Sequence, residues 1–444
     1  MGYFINEAGA PRHTLKDPRG LATGSPTRDA IDQVESALES MLSYFGDPVA
    51  MLERASALAP SWAYPRVLLA SLYMTFAERG MARLAADALA GAQDLLGSAP
   101  PRERAHAAAA QAAVEGDWAS ACRLWEGILV EHPTDAAALL FAHLFDFYQG
   151  DALNLKRRPQ RVLPAWRPGM PLHGYVLGMH AFGLEESGHY AEAEDAGRRA
   201  LDIHRRDPWA VHAVAHVLEM QGRHGEGARW LAGRHADWAI DNGFAFHNWF
   251  HAALFQLEDM DTRGALQTFD AHLATATDTA LQRVDGTAVL WRLKLLGVDV
   301  GDRFRQLHAA WEAVEDADGF YAFNDVHAVL AALGASAPLP HSRAAAPAAV
   351  TQRSMAERVG LPLRHALGHY GAARYAEAAR ELLHVRDHAH EFGGSHAQRD
   401  LLTWTLVDAA LRGDERALAR HILNERVPAK RDTPLTAYWQ ERLQ

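Results

Sequence analysis

The segment HAVAHVLE places His212, His216 and Glu219 at i, i+4 and i+7, so on a helix the three share one face. Side chains at that spacing lie about 5–6 Å apart, near enough for two imidazoles to hold one ion at about 2.0–2.1 Å per nitrogen, with a carboxylate or water completing the shell. Further on, HNWFH repeats the i, i+4 spacing with His247 and His251 and sets Asn248 between them. If the two segments lie on adjacent helices, His212, His216, His247 and His251 become candidate metal ligands. A divalent ion such as zinc is then the cofactor, Glu219 a catalytic acid–base group and Asn248 a ligand-binding one. The alternative for each imidazole is a buried ring that donates from one nitrogen and accepts at the other without ligating anything. Burying four imidazoles and a carboxylate for packing alone would cost more than burying leucines. HExxH, which pairs two ligands with a general base, is absent.

Two further groups carry chemistry. In FNDVH, Asp325 could orient His327 as a general base. Residues two apart on a helix point about 200° from each other, so the dyad requires Asp325 to sit in the entry turn; its other reading is a cap for a helix beginning after Asn324. In GGSHAQRD, Gly393 and Gly394 permit an unusual backbone and Ser395 can cap a helix carrying Arg399 and Asp400. Such a start suits a carboxylate or phosphate, unless Arg399 and Asp400 simply pair with other helices. His180, ahead of Glu185 and Glu186, is a ligand-binding candidate, and Glu186 reads as solvent surface. Cys122, inside a packing helix, reads as a small core residue. No phosphate-binding glycine motif and no G-x-S-x-G occurs.

The elements that must position these groups are helices. Apolar residues make up 49% of the 444 and charged residues 22%, ordinary globular proportions that exclude a disordered or collagen-like chain. Apolar positions recur at three- and four-residue spacing, and nothing alternates long enough for a sheet. GDWASA (116–121), GHYAEA (188–193), GRHGEG (222–227) and ARYAEA (373–378) repeat one pattern, and Tyr190 to His224 spans the tetratricopeptide period of about 34 residues. Gly46, Gly80, Gly150 and Gly413 mark further turns. The expectation is an all-α, tetratricopeptide-like helix-turn-helix solenoid, a superhelix whose concave groove is lined by the first helices of its repeats. Its expected divisions are an N-terminal arm over 1–25, the solenoid over 26–335, an Ala/Pro-rich linker over 336–355 and a C-terminal helical repeat segment over 356–444. His212, His216 and Glu219 fall five, nine and twelve residues into a first helix, where such grooves bind ligands.

Net charge is −11, from 44 Lys+Arg against 55 Asp+Glu, and without a basic tract nucleic acid is not an expected partner. A single cysteine allows no intramolecular disulfide and points to a reducing compartment. The opening residues lack a signal-peptide core, and no apolar run approaches the roughly 18 residues of a membrane span. The expected location is the cytoplasm, with no membrane partner.

Several stretches resemble the family of tetratricopeptide repeat protein 38: HPTDAAAL (132–139), FGLEE (182–186), DPWAVHAVAHVLEM (207–220), HNWFHAAL (247–254), FNDVHAVLAALG (323–334), GLPLRHAL (360–367) and GGSHAQRD (393–400). The closing RDTPLTAYW (431–439) fits the family's end, with Asp432-Thr433 in place of its usual asparagine-serine. His180 and His396 are local departures. The resemblance implies a tetratricopeptide-like fold in a cytosolic protein and brings no reaction with it. Two functions follow from the residues. One is a His/Glu/Asp-rich pocket for a small polar ligand, extending to metal-assisted or histidine-based hydrolysis. The other is a scaffold whose groove takes a peptide or a partner's tail. A homo-oligomer is compatible with both.

Overall fold

A computed structural model of the chain describes residues 15–341, 349–430 and 432–444. Among them the protein is helical throughout, with one isolated bridge between Lys16 and Ala22 outside the helices. The helices run as antiparallel pairs joined by short turns, Pro101–Val114 with Trp118–Glu131, His173–Glu185 with Tyr190–Ile203, and Pro208–Met220 with His224–Gly233. The fold is a tetratricopeptide-like all-α repeat solenoid.

Local chemistry explains the pairs. Asp117, Asp135, Asp151 and Asp207 each stand immediately before a helix, and each carboxylate accepts a hydrogen bond from a first-turn backbone N–H, as Asp135 does from Ala138 at 3.0 Å. Pro208 follows its cap, where a missing N–H costs nothing. At the turns Gly188 and Gly222 take φ of 77° and 69°, the left-handed conformation that ends a helix most cheaply at glycine. Gly80 and Gly413 do not play this part. Ala77 and Asp414 carry the positive φ at those turns, and Gly80 lies within the helix Arg79–Ala90. The small residues expected to let helices approach, Ala121 and Ala193, are fully buried. Gly183 allows closer contact still, since a Cβ there would stand 2.3 Å from the Leu155 carbonyl oxygen.

The superhelix turns so far that distant units meet. Near the chain's start, Ser43 and Tyr44 accept through their carbonyls from Asn242 Nδ2 at 2.9 Å and Gly243 N at 2.8 Å. From the other end the helix His396–Arg412 returns to the solenoid's inner face. There Trp291 donates to Thr405 at 3.0 Å, Arg292 to the Ala397 carbonyl at 2.7 Å, and the backbone N–H of His396 to Glu186 at 3.0 Å. Arg426 and Lys430 of the next helix grip Glu258. The chain's own C-terminal segment therefore packs against part of the concave face, at the helices Pro208–Met220 and Ala280–Leu295.

Of the expected arm, residues 1–14 lie outside the described residues. Residues 15–25 are tied down by Arg19, which bridges Asp17 and Glu35, and by Gly24, which donates to Glu103 at 2.8 Å. Of the expected linker, residues 342–348 lie outside the described residues, and Val350–Met355 forms a helix whose Thr351 N–H bonds to the Gly116 carbonyl at 3.2 Å. Arg431, which opens the stretch fitting the family's end, is also outside them.

Candidate metal centre and its cavity

Pro208–Met220 puts His212, His216 and Glu219 at its fifth, ninth and twelfth residues, and Ala245–Glu258, the first helix of the next unit, puts His247 and His251 against them. The four imidazoles form one cluster. His212 and His216 have ring centroids 4.3 Å apart, His216 and His251 4.4 Å, His212 and His247 4.8 Å. One nitrogen from each ring lies within 4.8 Å of the others, and none of the four residues is more than 4% exposed. Around a single ion at 2.0–2.1 Å, four tetrahedral nitrogens would stand about 3.3–3.4 Å apart. The rings need to draw inward by about an ångström, which small χ rotations supply.

What lies behind the rings is decisive for their roles. His251 Nδ1 meets Glu219 Oε2 at 2.9 Å, His247 Nδ1 meets Asp285 Oδ2 at 2.7 Å, and His216 Nδ1 lies 3.4 Å from Glu185 Oε2. A carboxylate on Nδ1 fixes the tautomer and leaves Nε2 as a ligand atom, the outer-shell arrangement of histidine metal sites. His212 has no carboxylate behind it; both its nitrogens, both of His216 and Nε2 of His251 are buried without a hydrogen-bond partner. Orphaned atoms of this kind cost about 1–3 kcal/mol each if nothing satisfies them.

Electrostatics describes the same imbalance. Burial, reinforced by neighbouring histidines, holds His212 and His251 well below the ordinary imidazole range, and burial lowers His216 despite Glu186 and Glu219 nearby. Burial pushes Glu219 up to about 7 against the pull of Lys430, His216 and Arg292; Asp285 rises for the same reason despite His247. Burial and then Glu186 drive Glu185 far above its usual value. Burial thus disfavours the charged form of both the imidazoles and the carboxyl groups behind them.

Three of the four histidines, His212, His216 and His247, line a cavity of about 320 Å³, at the small end of the range for ligand pockets. Its walls come from the first helices of successive units, from Arg28–Ser43 at one end and from the Ser395 helix start at the other. Among the described residues, no Asp, Glu, Lys or Arg lines it. The lining is aromatic and aliphatic, which departs from the expected polar pocket.

The remaining candidates lie as follows. Asn248 is fully buried, donates to the Pro208 carbonyl at 3.4 Å and leaves Oδ1 unbonded. Asp325 is in the first turn of Ala322–Gly334, but both its oxygens accept from Gly319 N–H at 3.2 Å, a loop contact and not a bond to His327. The His327 ring instead meets the Phe323 carbonyl at 2.8 Å. His180 is half-buried and belongs to neither cluster of metal-ligating groups. Arg399 donates to the carbonyls of Gly393 and Gly394 and stands 3.5 Å from Glu186; Asp400 accepts from Trp404 at 2.8 Å. Both line a different cavity, with Arg386 and Lys430.

Glu186 is no surface residue. It is 5% exposed, receives the His396 N–H, and with Glu185 and His216 makes a second trio of donor atoms within 4.8 Å. Arg399 and that N–H already supply its positive partners. Asp285 was not among the sequence candidates, for it stands alone in QRVDG with no second ligand type at a telling spacing. Cys122 is buried against the Ala142 carbonyl, and burial raises its thiol far above the reactive range.

No family model matches the chain. Among solved structures it is similar to a chain of the crystal structure of the APC/C hetero-tetramer Cut9-Hcn1, at 11% identity and a TM-score of 0.41, over 94% of this chain and 78% of that one. Among the described residues, no helix is long and apolar enough to cross a membrane.

Proposed function

We propose that this chain holds a divalent metal ion, zinc suiting the donor set best, on His212, His216, His247 and His251, and uses it on a small molecule seated in the adjoining cavity. The observation that carries the reading is the row of carboxylates behind the rings, Glu219 on His251, Asp285 on His247 and Glu185 near His216. Packing alone gives no reason for three buried acids to stand behind three buried imidazoles, whereas metal ligation does. Four nitrogen donors suit zinc or another late first-row ion rather than calcium or magnesium.

When bound with a coordination position left open towards the cavity, as a fifth ligand or in place of one ring, such an ion would polarise a carbonyl and lower the pKa of water, and the reaction class we propose is then hydrolysis of a carbonyl compound. The oxygen of water joins the carbonyl carbon, the acyl C–O or C–N bond breaks, and the water proton passes to the leaving group. His216 and His251 hold and orient, Glu219 and Asp285 keep the tautomers, and the apolar walls exclude bulk water. The repeat fold also suits a peptide scaffold, but the helix His396–Arg412 packs against part of the inner face, at Pro208–Met220 and Ala280–Leu295, and narrows the room for an extended peptide.

We further propose membership of the tetratricopeptide repeat protein 38 family and a cytosolic location. Support for the family comes from where its segments meet. FGLEE brings Glu185 and Glu186, DPWAVHAVAHVLEM and HNWFHAAL bring the four histidines and Glu219, and GGSHAQRD brings Ser395 and Gln398 to the cavity wall. The C-terminal segment over 356–444 is on this reading a working part of the site.

Elemental analysis of protein purified without a metal-affinity tag, followed by zinc equilibration and desalting, tests the proposal. One ion per chain is expected, lost in His216→Ala and kept in His327→Ala. A wild-type protein that retains no metal after equilibration would refute it.

A further inference from the structure

The cavity's wall says what it can hold. Its surface is made by Met41, Tyr44, Phe141, Phe147, Phe246 and Phe323 among others, and no charged side chain among the described residues lines it. Its polar side chains are largely committed elsewhere. Asn324 donates to the Ala77 carbonyl at 3.0 Å, Tyr148 and Tyr321 give their hydroxyl protons to the carbonyls of Thr75 and Tyr148, and Ser395 with Gln398, like Thr279 with Gln282, closes a reciprocal cap. Ser40 Oγ, Trp209 Nε1 and Gln398 Nε2, all buried and unbonded, add three hydrogen-bonding points. For a ligand's strongly polar end the histidines remain.

Charge decides the class. A cationic ligand would lose its hydration with no carboxylate on the wall to replace it, and a polyanion would find no Arg or Lys. A neutral molecule loses nothing of the kind and gains from every apolar group it buries. Size sets the upper limit: 320 Å³ holds about ten groups the size of water at about 30 Å³ each.

Resting on the metal reading above and deepening it, we propose that the ligand is a neutral carbonyl compound with an apolar body of about ten heavy atoms, an ester or amide of a medium-chain or aryl acid, its carbonyl at the histidines and its body in the aromatic chamber. The same wall disfavours ligands that carry a formal charge.

Two titrations test this and separate its failure from that of the metal centre. In the first, cobalt(II)-loaded protein is titrated with a straight-chain series of alkyl hydroxamates from butyl to decyl, read by the cobalt absorption bands. In the second, metal-free protein is titrated with 1-alkanols of the same lengths by calorimetry. Affinity should rise about fourfold per methylene in both, from about 0.8 kcal/mol per buried CH₂, and level off when the chamber is full. Leu144→Trp, which puts an indole into the lumen, should move the plateau to shorter chains, and Phe246→Asp should flatten the slope; helical circular dichroism confirms that each is folded. If cobalt does not bind but the alkanols gain with length, the chamber stands and the metal reading falls. If cobalt binds and neither series gains with length, or if an ammonium-tailed or glycol-chain hydroxamate matches the alkyl one, the inference is wrong.

Discussion

Replacing His251 by alanine separates a metal centre from a packed histidine cluster, because the two assign the ring different partners. In the folded protein Nδ1 of His251 bonds to Glu219 and Nε2 is buried without a hydrogen-bond partner. Without metal, the substitution orphans one carboxyl, at about 1–3 kcal/mol. Unfolding entropy of about 2.1 cal/mol/K per residue gives about 0.9 kcal/mol/K over 444 residues. The metal-free variant should therefore melt about 1–3 °C below the metal-free wild type, if the chain melts as one unit. Zinc at a hundred times its Kd adds about 2.7 kcal/mol to the wild type, a rise of about 3 °C on the same entropy. For a variant with a hundredfold weaker site the same zinc adds about 0.4 kcal/mol and under 1 °C. Scanning calorimetry of both proteins, with and without zinc, reads all four values. If zinc raises neither protein, or raises both equally, His251 is not a ligand and the metal centre as drawn here is refuted.

Asp285→Asn keeps the shape beside His247 but removes the charge that fixes its tautomer; zinc affinity measured by chelator competition should fall about 10- to 100-fold with helicity unchanged, and unchanged affinity would remove Asp285 from the site. Acid should loosen the C-terminal segment through Glu258: burial favours its neutral form, but Lys430 and Arg426 overcome that and hold it down at about 2. Because the folded value lies below the unfolded one of about 4.5, this stabilisation is complete above pH about 4.5 and lost as pH falls towards 2, about 3 kcal/mol in all; tryptophan fluorescence from Trp404 and Trp439 should report it, and an identical acid profile in Glu258→Gln would contradict it. Gly227→Ala should destabilise by about 1–3 kcal/mol in denaturant titrations, since its Cβ would stand 2.2 Å from Cζ of the buried Phe255 ring.

The solenoid and the histidine cluster could be read from sequence for the same reason. Both depend on spacing within one unit, where 3.6 residues per turn converts sequence separation directly into a shared face. His212, His216 and Glu219 therefore land where their numbers say, and so do His247 and His251. What crosses between units could not be read that way. Asp285 reaches His247 because of how the helix Ala280–Leu295 lies against its neighbour, and Glu186 is buried because His396 and Arg399 arrive from more than two hundred residues away. Superhelical curvature sets both contacts, and curvature is a sum of small packing rotations that leaves no periodic mark. Asp325 shows the opposite limit. Its position in the entry turn is local and legible, but its partner, the Gly319 N–H, belongs to the irregular loop before the helix, which has no periodicity to read.

Closing the groove changes what its residues can do. An open concave surface keeps its polar side chains in water, where a carboxylate near an imidazole is a weak, screened pair. Once the helix His396–Arg412 and the Arg28–Ser43 end cover that surface, Glu219, Asp285 and the four rings share a medium of low dielectric, and every unneutralised charge becomes expensive. The arrangement answers this by order of depth. Charged groups such as Arg292, Lys430 and Glu185 stay off the cavity surface, the imidazoles form the boundary, and among the described residues no charged side chain lines the lumen beyond them. A protein whose groove served to grip partners would expose its charges to them. Here, among the described residues, they are turned away from the cavity that the histidines border, the disposition expected if that cavity takes an uncharged molecule beside a bound ion, as proposed above.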